Sequence, residues 1–341
     1  MAKQKRITDF SMLKDANIVF SDEKKTTKVK ANVEIVNPNP NIGWLFYRTY
    51  YDGIKELKND AGIALITKNK KLLDIKEKEK IVAFFSEKHA VIKDAGFLLP
   101  EIELDASFVS FCLKTTYPGL VTGIGLVHET GLIGEAKLGF QFDYTTGLPY
   151  LPGSSIKGLL RSAFPFSLNV KKTDENNPEV INYRNNRFSY LKEVFGNLTV
   201  ELSEEEIVAL EFAIFAGTDK NGKALQEPSR DIFADAIISN YNENIVATDF
   251  ITPHKDPLKD PNPVQFIKIL PEVAFQFSFK LSDTVLLNGK AFTLKGFEKR
   301  ASENEDTKTI TAEQKLSLFR QILLDFGIGA KTNVGYGQLV E

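Results

Sequence analysis

The stretch VAFQFSFKL, residues 273–281, sets the strongest limit on how this chain folds. Successive side chains of a β-strand point to opposite faces, and here large apolar residues alternate with small or polar ones. The apolar residues that share one face are Val273, Phe275, Phe277, Phe279 and Leu281. The pattern therefore predicts a half-buried strand, with one face against a core and the other face open.

Other segments predict the elements that surround this strand. LPGSSIKGLLRSAF, residues 151–164, is expected to begin a helix in which Ser154 or Ser155 caps the free amide groups. Three further runs contain the residue types that favour strands. These runs are residues 107–115, 232–239 and 336–340.

The segment TAEQKLSLFRQILLDFG, residues 311–327, predicts a second helix. Thr311 and Gln314 have the spacing of a capping box, and Gly327 is a typical helix stop. With the other segments, the chain order becomes β-α-β-β-α-β. This order defines an α+β, ferredoxin-like (RRM-like) fold, an antiparallel sheet with helices on one face.

Long segments interrupt or precede this order. Residues 1–100 are expected to form an N-terminal extension, and residues 101–341 the ferredoxin-like domain. Within that domain a helical insertion is expected at about 166–229, and a proline-rich, thumb-like excursion at about 247–270. Insertions of this length in a compact fold tend to carry function or to bind partners.

Additional helices are expected in the extension and in the insertion. Apolar positions recur at helical spacing over 76–94, which predicts an amphipathic helix. The insertion predicts one helix at 187–195 and another capped by Ser203 with Glu206.

Composition narrows the classes of function. The chain has 341 residues, 43% of them apolar, and a net charge of only −2, so its global charge does not indicate a nucleic-acid binder. No uncharged apolar run is long enough for a membrane span, and the N-terminus does not match a secretory signal, so a soluble, cytoplasmic protein is expected. Cys112 is the single cysteine, and the three histidines have no zinc-ligand spacing. No metal and no cofactor are therefore expected.

Two motifs could bind phosphate. The turn and helix start PGSSIKGLLR offers amide groups at a helix N-terminus together with two basic residues, although it could merely start a helix. The C-terminal GIGAKTNVGYG, residues 327–337, has glycines that let a ligand approach the main chain. A glycine-dense turn that only returns the chain to the sheet is the alternative.

An aromatic segment lies in the N-terminal extension, in NIGWLFYRTYYDGI. Aromatic rings with an arginine among them can stack on unpaired bases, but such spans more often form core or a docking face. The aromatic residues are Trp44, Phe46, Tyr47, Tyr50 and Tyr51, with Arg48 among them.

The two phosphate-binding candidates together resemble a known family. GLPYLPGSSIKGLLRSAF and FGIGAKTNVGYGQL occur in the order found in the repeat-associated mysterious (RAMP) proteins of type III CRISPR effector complexes. Stretches such as GLVHETGLIG, RDIFADAII and ATDFITPHKDP are similar to one branch of that family, the sixth subunits of subtype III-B (Cmr) complexes. The similarity touches most of residues 41–341 and does not cover the first 35.

This resemblance implies a non-catalytic, CRISPR RNA-binding subunit that holds the 3′ part of the guide and helps to engage target RNA. Its implied partners are CRISPR RNA, target RNA and other effector subunits: the backbone protomer, the small helical subunit and a neighbouring end subunit. The implied RNA-binding residues are Gly153, Ser154, Ser155, Lys157, Arg161, Gly327, Gly329, Lys331, Thr332, Asn333, Gly335, Tyr336 and Gly337.

The alternative is a metal-independent endoribonuclease, because some relatives in this family cleave RNA. Such cleavage needs a general base and a general acid, and histidine is the usual choice. His128 beside Glu129, with Asp143 as a possible partner, is the best candidate, and His254 is a further isolated histidine. A histidine with a purely structural role is the simpler reading of His128.

Overall fold

The fold is given by a computed structural model. It describes residues 41–54, 75–95, 105–122, 141–168, 174–218, 231–252, 263–287, 290–293 and 307–341, with short pieces at 99, 132, 134–136, 170–171, 222, 224–225 and 230.

The described helices are α1 (Ile42–Trp44), which continues as a π-helix over Leu45–Thr49, α2 (Ile75–Lys93), α3 (Gly153–Ser162), α4 (Pro178–Asn197), α5 (Glu204–Glu211), which continues as a π-helix over Phe212–Ala216, and α6 (Ala312–Phe326). The described strands are β1 (Val109–Thr115), β2 (Tyr150–Leu151), β3 (Ile232–Phe233), β4 (Ala236–Asn240), β5 (Val246–Ile251), β6 (Val264–Ile269), β7 (Ala274–Lys280), β8 (Thr284–Leu287), β9 (Lys290–Thr293), β10 (Thr307–Ile310) and β11 (Leu339–Val340).

The main sheet is antiparallel and has the strand order β11-β1-β7-β4-β2, with β3 also paired to β7. Two smaller sheets are the hairpin β5–β6 and the group β10-β8-β9. The prediction of a mixed fold with an antiparallel sheet is confirmed. The run 232–239 does not form one strand as expected, because residues 234 and 235 separate β3 from β4.

The strand that limited the fold lies at the centre of this sheet. Phe275, Phe277 and Phe279 of β7 are fully buried, as the alternation predicts. Phe279 packs against Phe319 of α6, with ring centroids 5.3 Å apart. The opposite face is less open than expected, because Ser278 is also buried.

Helix α6 begins and ends where its sequence predicts. Thr311 accepts a hydrogen bond from the amide of Gln314, and the Gln314 side chain accepts from the amide of Thr311. Gly327 follows the helix with a φ of 65°, a conformation that favours glycine. The predicted capping box of Ser203 and Glu206 at the start of α5 is confirmed in the same way.

The predicted cap of α3 is wrong. The N-cap residue is Pro152, whereas Ser154 and Ser155 lie inside the first turn with exposed side chains. The Gly153 amide donates to Asp235 Oδ1 at 2.7 Å, so a carboxylate 82 residues away satisfies the first free amide.

A buried ion pair joins α6 to the loop before β3. Lys315 Nζ donates to Asp231 Oδ2 at 2.6 Å and to the Ser282 carbonyl at 2.6 Å, while the Ser282 amide donates to Asp231 Oδ1 at 2.9 Å. Burial raises the pKa of Asp231 and lowers the pKa of Lys315, and their mutual attraction opposes both shifts.

The aromatic segment of the extension contributes mainly to the core. Phe46 and Tyr50 are buried, and Phe46 packs against Phe142 with centroids 5.4 Å apart. Trp44 is the large aromatic of this segment that stays exposed. The described part of the extension therefore packs against the rest of the chain, and the division at residue 100 stays a prediction.

Helix α2 is amphipathic as predicted, with Ile81, Phe85 and Ile92 buried, although Val91 is exposed. His89 on its buried face lies 2.7 Å from Tyr50 Oη through Nε2, and 3.2 Å from Gln265 Nε2 through Nδ1. Burial lowers the pKa of His89 to about 4.

We expect His89 to make stability fall in mild acid. Its folded-state pKa lies below the ordinary value of 6.5, so its contribution is complete above pH 6.5 and is lost as pH falls towards 4. The loss should be about 3 kcal/mol. Urea unfolding gives the free energy of unfolding of the wild type and of His89→Gln at each pH. The difference between the two values isolates the contribution of His89, because the other titrating groups contribute equally to both proteins. A difference that does not change with pH would contradict this assignment.

Candidate functional site

The two motifs singled out in the sequence form opposite walls of one groove. The start of α3 and the glycine-rich loop (residues 327–337) meet there, around a cavity of about 330 Å³. The lining residues are Thr122, Leu151, Pro152, Ser155, Leu159, Ile328, Gly329 and Ala330. Residues 170 positions apart are thus brought together, since α3 and α6 pack side by side and the loop follows α6.

The glycine-rich loop is held against the segment that follows β1. The Ala330 amide donates to the Val121 carbonyl at 2.7 Å, and the Gly337 amide donates to the Gly119 carbonyl at 2.8 Å. Gly329 has a φ of 97°, and a Cβ there would collide with the Val121 carbonyl oxygen. Glycine at this position is therefore required by close approach to the protein's own backbone.

The hairpin β5–β6 supports the loop from another side. Tyr336 Oη donates to Asp249 Oδ2 at 2.8 Å, and Lys268 Nζ donates to the same oxygen. Partial burial tends to raise the pKa of Asp249, but these two hydrogen bonds lower it overall. The ammonium group of Lys331 lies 6.0 Å from the centroid of the Phe266 ring. Tyr336 is buried, so in the described structure it braces the loop.

The two basic residues of the α3 motif lie on the flank away from the groove. Lys157 Nζ is 5.5 Å from the centroid of the Phe233 ring. Arg161 Nε is 3.6 Å from Oε1 of Glu211, and neither atom has a hydrogen-bond partner among the described residues. Glu211 Oε2 accepts from the Phe166 amide at 2.9 Å, and burial raises the pKa of Glu211 to about 6.

Of the other loop residues, Asn333 is exposed, whereas Lys331, Thr332 and Gly335 are half-buried. Lys331 adopts the left-handed conformation with a φ of 62°, before a short 3₁₀ turn over Thr332–Val334. The polar side chains of the loop therefore lie at the surface, next to the groove.

The histidines of the enzymatic alternative, His128 and His254, lie outside the described residues, as does Glu129. Asp143 is described, and its Oδ1 accepts from the Thr145 amide and from both the amide and the hydroxyl of Thr146. The Asp143 carboxylate therefore stabilises a turn.

Across the described ranges, no group of His, Cys, Asp and Glu side chains is arranged to hold a metal ion. No helix in those ranges combines the length and apolar character of a membrane span.

Sequence reasoning assigned no role in the groove to Thr122 or to Asp249. Thr122 lines it, and Asp249 fixes Tyr336 of the adjoining loop, but neither residue lies in the two motifs. No local pattern indicates these residues, because each acts through contacts with distant parts of the chain.

Family comparison agrees with the motifs. The family model of the RAMP superfamily matches residues 112–340, which include the α3 motif and the glycine-rich loop. The chain belongs to the RAMP superfamily.

A curated relative is the CRISPR system Cmr subunit Cmr6 of Pyrococcus furiosus, 25% identical over 265 residues. That match covers 66% of this chain and 66% of the relative, slightly under two thirds of the relative's length. The resemblance to the sixth subunits of Cmr complexes is thereby confirmed.

Two solved structures are also similar. One is a chain of the cryo-EM structure of the type III-B Cmr-beta bound to cognate target RNA, with 19% identity, a TM-score of 0.49, and coverage of 88% of this chain and 90% of that chain. The other is the crystal structure of Cmr6 from Pyrococcus furiosus, with 23% identity, a TM-score of 0.36, and coverage of 70% and 99%.

Proposed function

We propose that this chain is a non-catalytic, CRISPR RNA-binding subunit of a type III-B (Cmr) effector complex in antiviral defence, acting in the cytoplasm. In this role it holds the 3′ part of the guide RNA and helps to engage target RNA. Its partners are the guide, the target and the other effector subunits: the backbone protomer, the small helical subunit and a neighbouring end subunit.

One observation carries this proposal. The α3 start and the glycine-rich loop, which are the two motifs of the resemblance, line a single groove of about 330 Å³. The groove offers the Ser155 hydroxyl and glycine backbone to a ligand, and Lys331 lies in the adjoining loop. Backbone and hydroxyl donors of this kind contact the sugar-phosphate chain, while base pairing supplies sequence specificity.

The sheet supports a ferredoxin-like core for the proposed RNA-binding domain. If β1, β4, β7 and β11 are taken as its four strands, the spatial order is fourth, first, third, second. Helix α3 follows the first strand and α6 follows the third, as in a split βαβ arrangement. The hairpin β5–β6 occupies the segment proposed as the thumb-like excursion.

The residues proposed to contact RNA are those of the two motifs. They are Gly153, Ser154, Ser155, Lys157, Arg161, Gly327, Gly329, Lys331, Thr332, Asn333, Gly335, Tyr336 and Gly337. Ser155 and Gly329 are the members that line the groove. Gly153, Tyr336 and Gly337 are buried, so their part in the proposal is to shape the main chain.

Ser155→Glu tests the groove directly. A carboxylate in the groove should repel phosphate, and we expect the affinity for single-stranded RNA to fall about tenfold or more. The same substitution places a negative charge in the first turn of α3, where it favours the helix, so folding should be kept. Fluorescence anisotropy with a labelled single-stranded RNA measures the affinity, and thermal unfolding checks the fold.

The matched control is Ser86→Glu, which adds the same charge at an exposed position of α2. Its RNA affinity should stay close to that of the wild type. Equal affinities for the two folded variants would reject the groove as the RNA site, and a wild-type chain that binds no RNA would reject the proposed function.

A further inference from the structure

Helix α4, in the insertion, presents two arginines on aromatic rings. The guanidinium carbon of Arg184 lies 4.2 Å from the centroid of the Phe166 ring. That of Arg187 lies between two rings, 4.7 Å from the centroid of Phe326 and 5.0 Å from that of Tyr183. Arginine stacks on aromatic faces through its planar cation, which fixes the plane of the group but leaves its edge N–H donors available.

Neither guanidinium is paired directly with a carboxylate of the described residues. Among the described residues, Arg184 and Arg187 form no salt bridge and donate no side-chain hydrogen bond. The nearby carboxylate of Asp325 is already engaged, because it accepts from Tyr190 Oη at 2.7 Å and from Gln321 Nε2 at 2.9 Å. The other nearby carboxylate, Glu211, attracts Arg184 electrostatically, but it forms no salt bridge with Arg184 and is buried beside Arg161. Both arginine side chains are half-buried, so solvent and ligands can reach them.

The helix that carries the two arginines packs against α3 and α6. Phe326, which stacks on Arg187, is the last residue of α6 and comes directly before the glycine-rich loop. Tyr183 Oη donates to the Ser162 carbonyl at 2.9 Å, at the C-terminal end of α3. Helix α4 therefore contacts both elements that form the walls of the groove, at the end opposite the start of α3.

We propose that Arg184 and Arg187 form a second phosphate-binding site, which extends the RNA path from the groove onto α4. This inference rests on the proposed function and names single-stranded RNA as the occupant of this surface. The ring stacking orients the guanidinium groups in advance, so less side-chain freedom is lost when they bind. Arginine donors with no carboxylate partner suit phosphate, which accepts them in a bidentate geometry. The exposed Asn185 and Asn186 add further donors on the same helix.

The test compares short and long RNA ligands on the full-length chain. Labelled oligouridylates of increasing length are titrated against the wild type, Arg184→Ala/Arg187→Ala and a control, Lys171→Ala/Lys192→Ala. The control removes the same charge from the insertion, at two exposed lysines. The arginine variant should bind the long oligomers at least about tenfold more weakly, because hydrogen bonds to charged groups are lost, and bind the shortest oligomers normally. Its salt slope should fall by about 1.4, at about 0.7 for each phosphate contact on a single strand.

The outcomes separate this inference from the proposed function. If Ser155→Glu weakens binding but the arginine variant matches the lysine control at every length, the second site is rejected and the groove stands. If the wild type binds no RNA, both proposals fail. Arg184→Lys/Arg187→Lys covers the case in which the alanine variant does not fold, since it keeps both charges but loses the planar, bidentate geometry. It should keep the salt slope and lose part of the affinity, and wild-type affinity in that variant would overturn the proposal.

Discussion

Lys315→Met should lower the free energy of unfolding by about 3–5 kcal/mol, one of the two largest effects we expect in this chain. The Lys315 and Asp231 side chains are only 1% and 2% exposed, so methionine would leave a carboxylate buried without its cation. The Ser282 amide would remain as a hydrogen-bond donor to Asp231, but one neutral donor does not replace an ammonium group. Urea unfolding at neutral pH measures the change.

Two variants make this result interpretable. Lys192→Met removes a lysine whose ion pair with Glu204 is 2.8 Å long but exposed on both sides, and should change stability by less than about 1 kcal/mol. Adding Asp231→Asn to Lys315→Met removes the unpaired charge and should recover part of the loss. The deficit of the single variant should also shrink as pH falls, because burial raises the pKa of Asp231 and protonation then favours the folded state. Equal effects of the two lysine substitutions would show that the buried pair has no special role.

Elements with local signals are the ones that sequence reasoning predicted well. The capping boxes of α5 and α6 each use residues three positions apart, so the local sequence alone contains the necessary donors and acceptors. The alternation in β7 is equally local, and it placed Phe275, Phe277 and Phe279 in the core. Helix α4 was predicted only over 187–195, because its first half carries few apolar residues, and its start at Pro178 is set by the cap of Asn177.

Features that depend on distant partners were not predictable in this way. Ser154 and Ser155 look like helix caps, yet Asp235 takes the first amide because tertiary contacts bring β4 to the start of α3. Lys315 occupies a polar position of an amphipathic helix pattern. It is nevertheless buried, because it forms an ion pair with Asp231, which is distant in the sequence. Arg161 looks like an RNA ligand by its spacing, and only the structure places it beside Glu211.

The candidate site also combines features that the local sequence predicts with features that depend on distant partners. The sequence supplied both motifs, and the resemblance implied that they act together; the structure adds that they line one groove. Tyr336 makes contacts that the motif alone does not predict. The motif suggests that this residue of the glycine-rich loop contacts RNA, but its ring is buried against Phe266 and its hydroxyl donates a hydrogen bond to Asp249.

Substitutions of three glycines should separate close contact from backbone strain in this loop. Gly337→Ala has both problems, because φ is 75° and a Cβ would collide with the Ile328 carbonyl oxygen. We expect it to lower the free energy of unfolding by about 2–4 kcal/mol and to weaken RNA binding, since the loop backbone that lines the groove must shift. Urea unfolding and RNA anisotropy on the same samples measure both effects.

Gly335→Ala has the strain without the collision. Its φ is 94°, but the nearest heavy atom to a Cβ is Pro118 Cδ at 3.6 Å, so the free energy of unfolding should fall by about 1–2 kcal/mol.

Gly196→Ala in α4 has neither problem and should raise the free energy of unfolding by about 0.5–1 kcal/mol, because alanine suits a helix better than glycine. If the three variants follow this order in stability but Gly337→Ala binds RNA normally, the rigid loop has a structural role only, and the groove is not the RNA site. If binding falls with Gly337→Ala and remains normal with Gly196→Ala, the rigid backbone of the loop is what the ligand contacts.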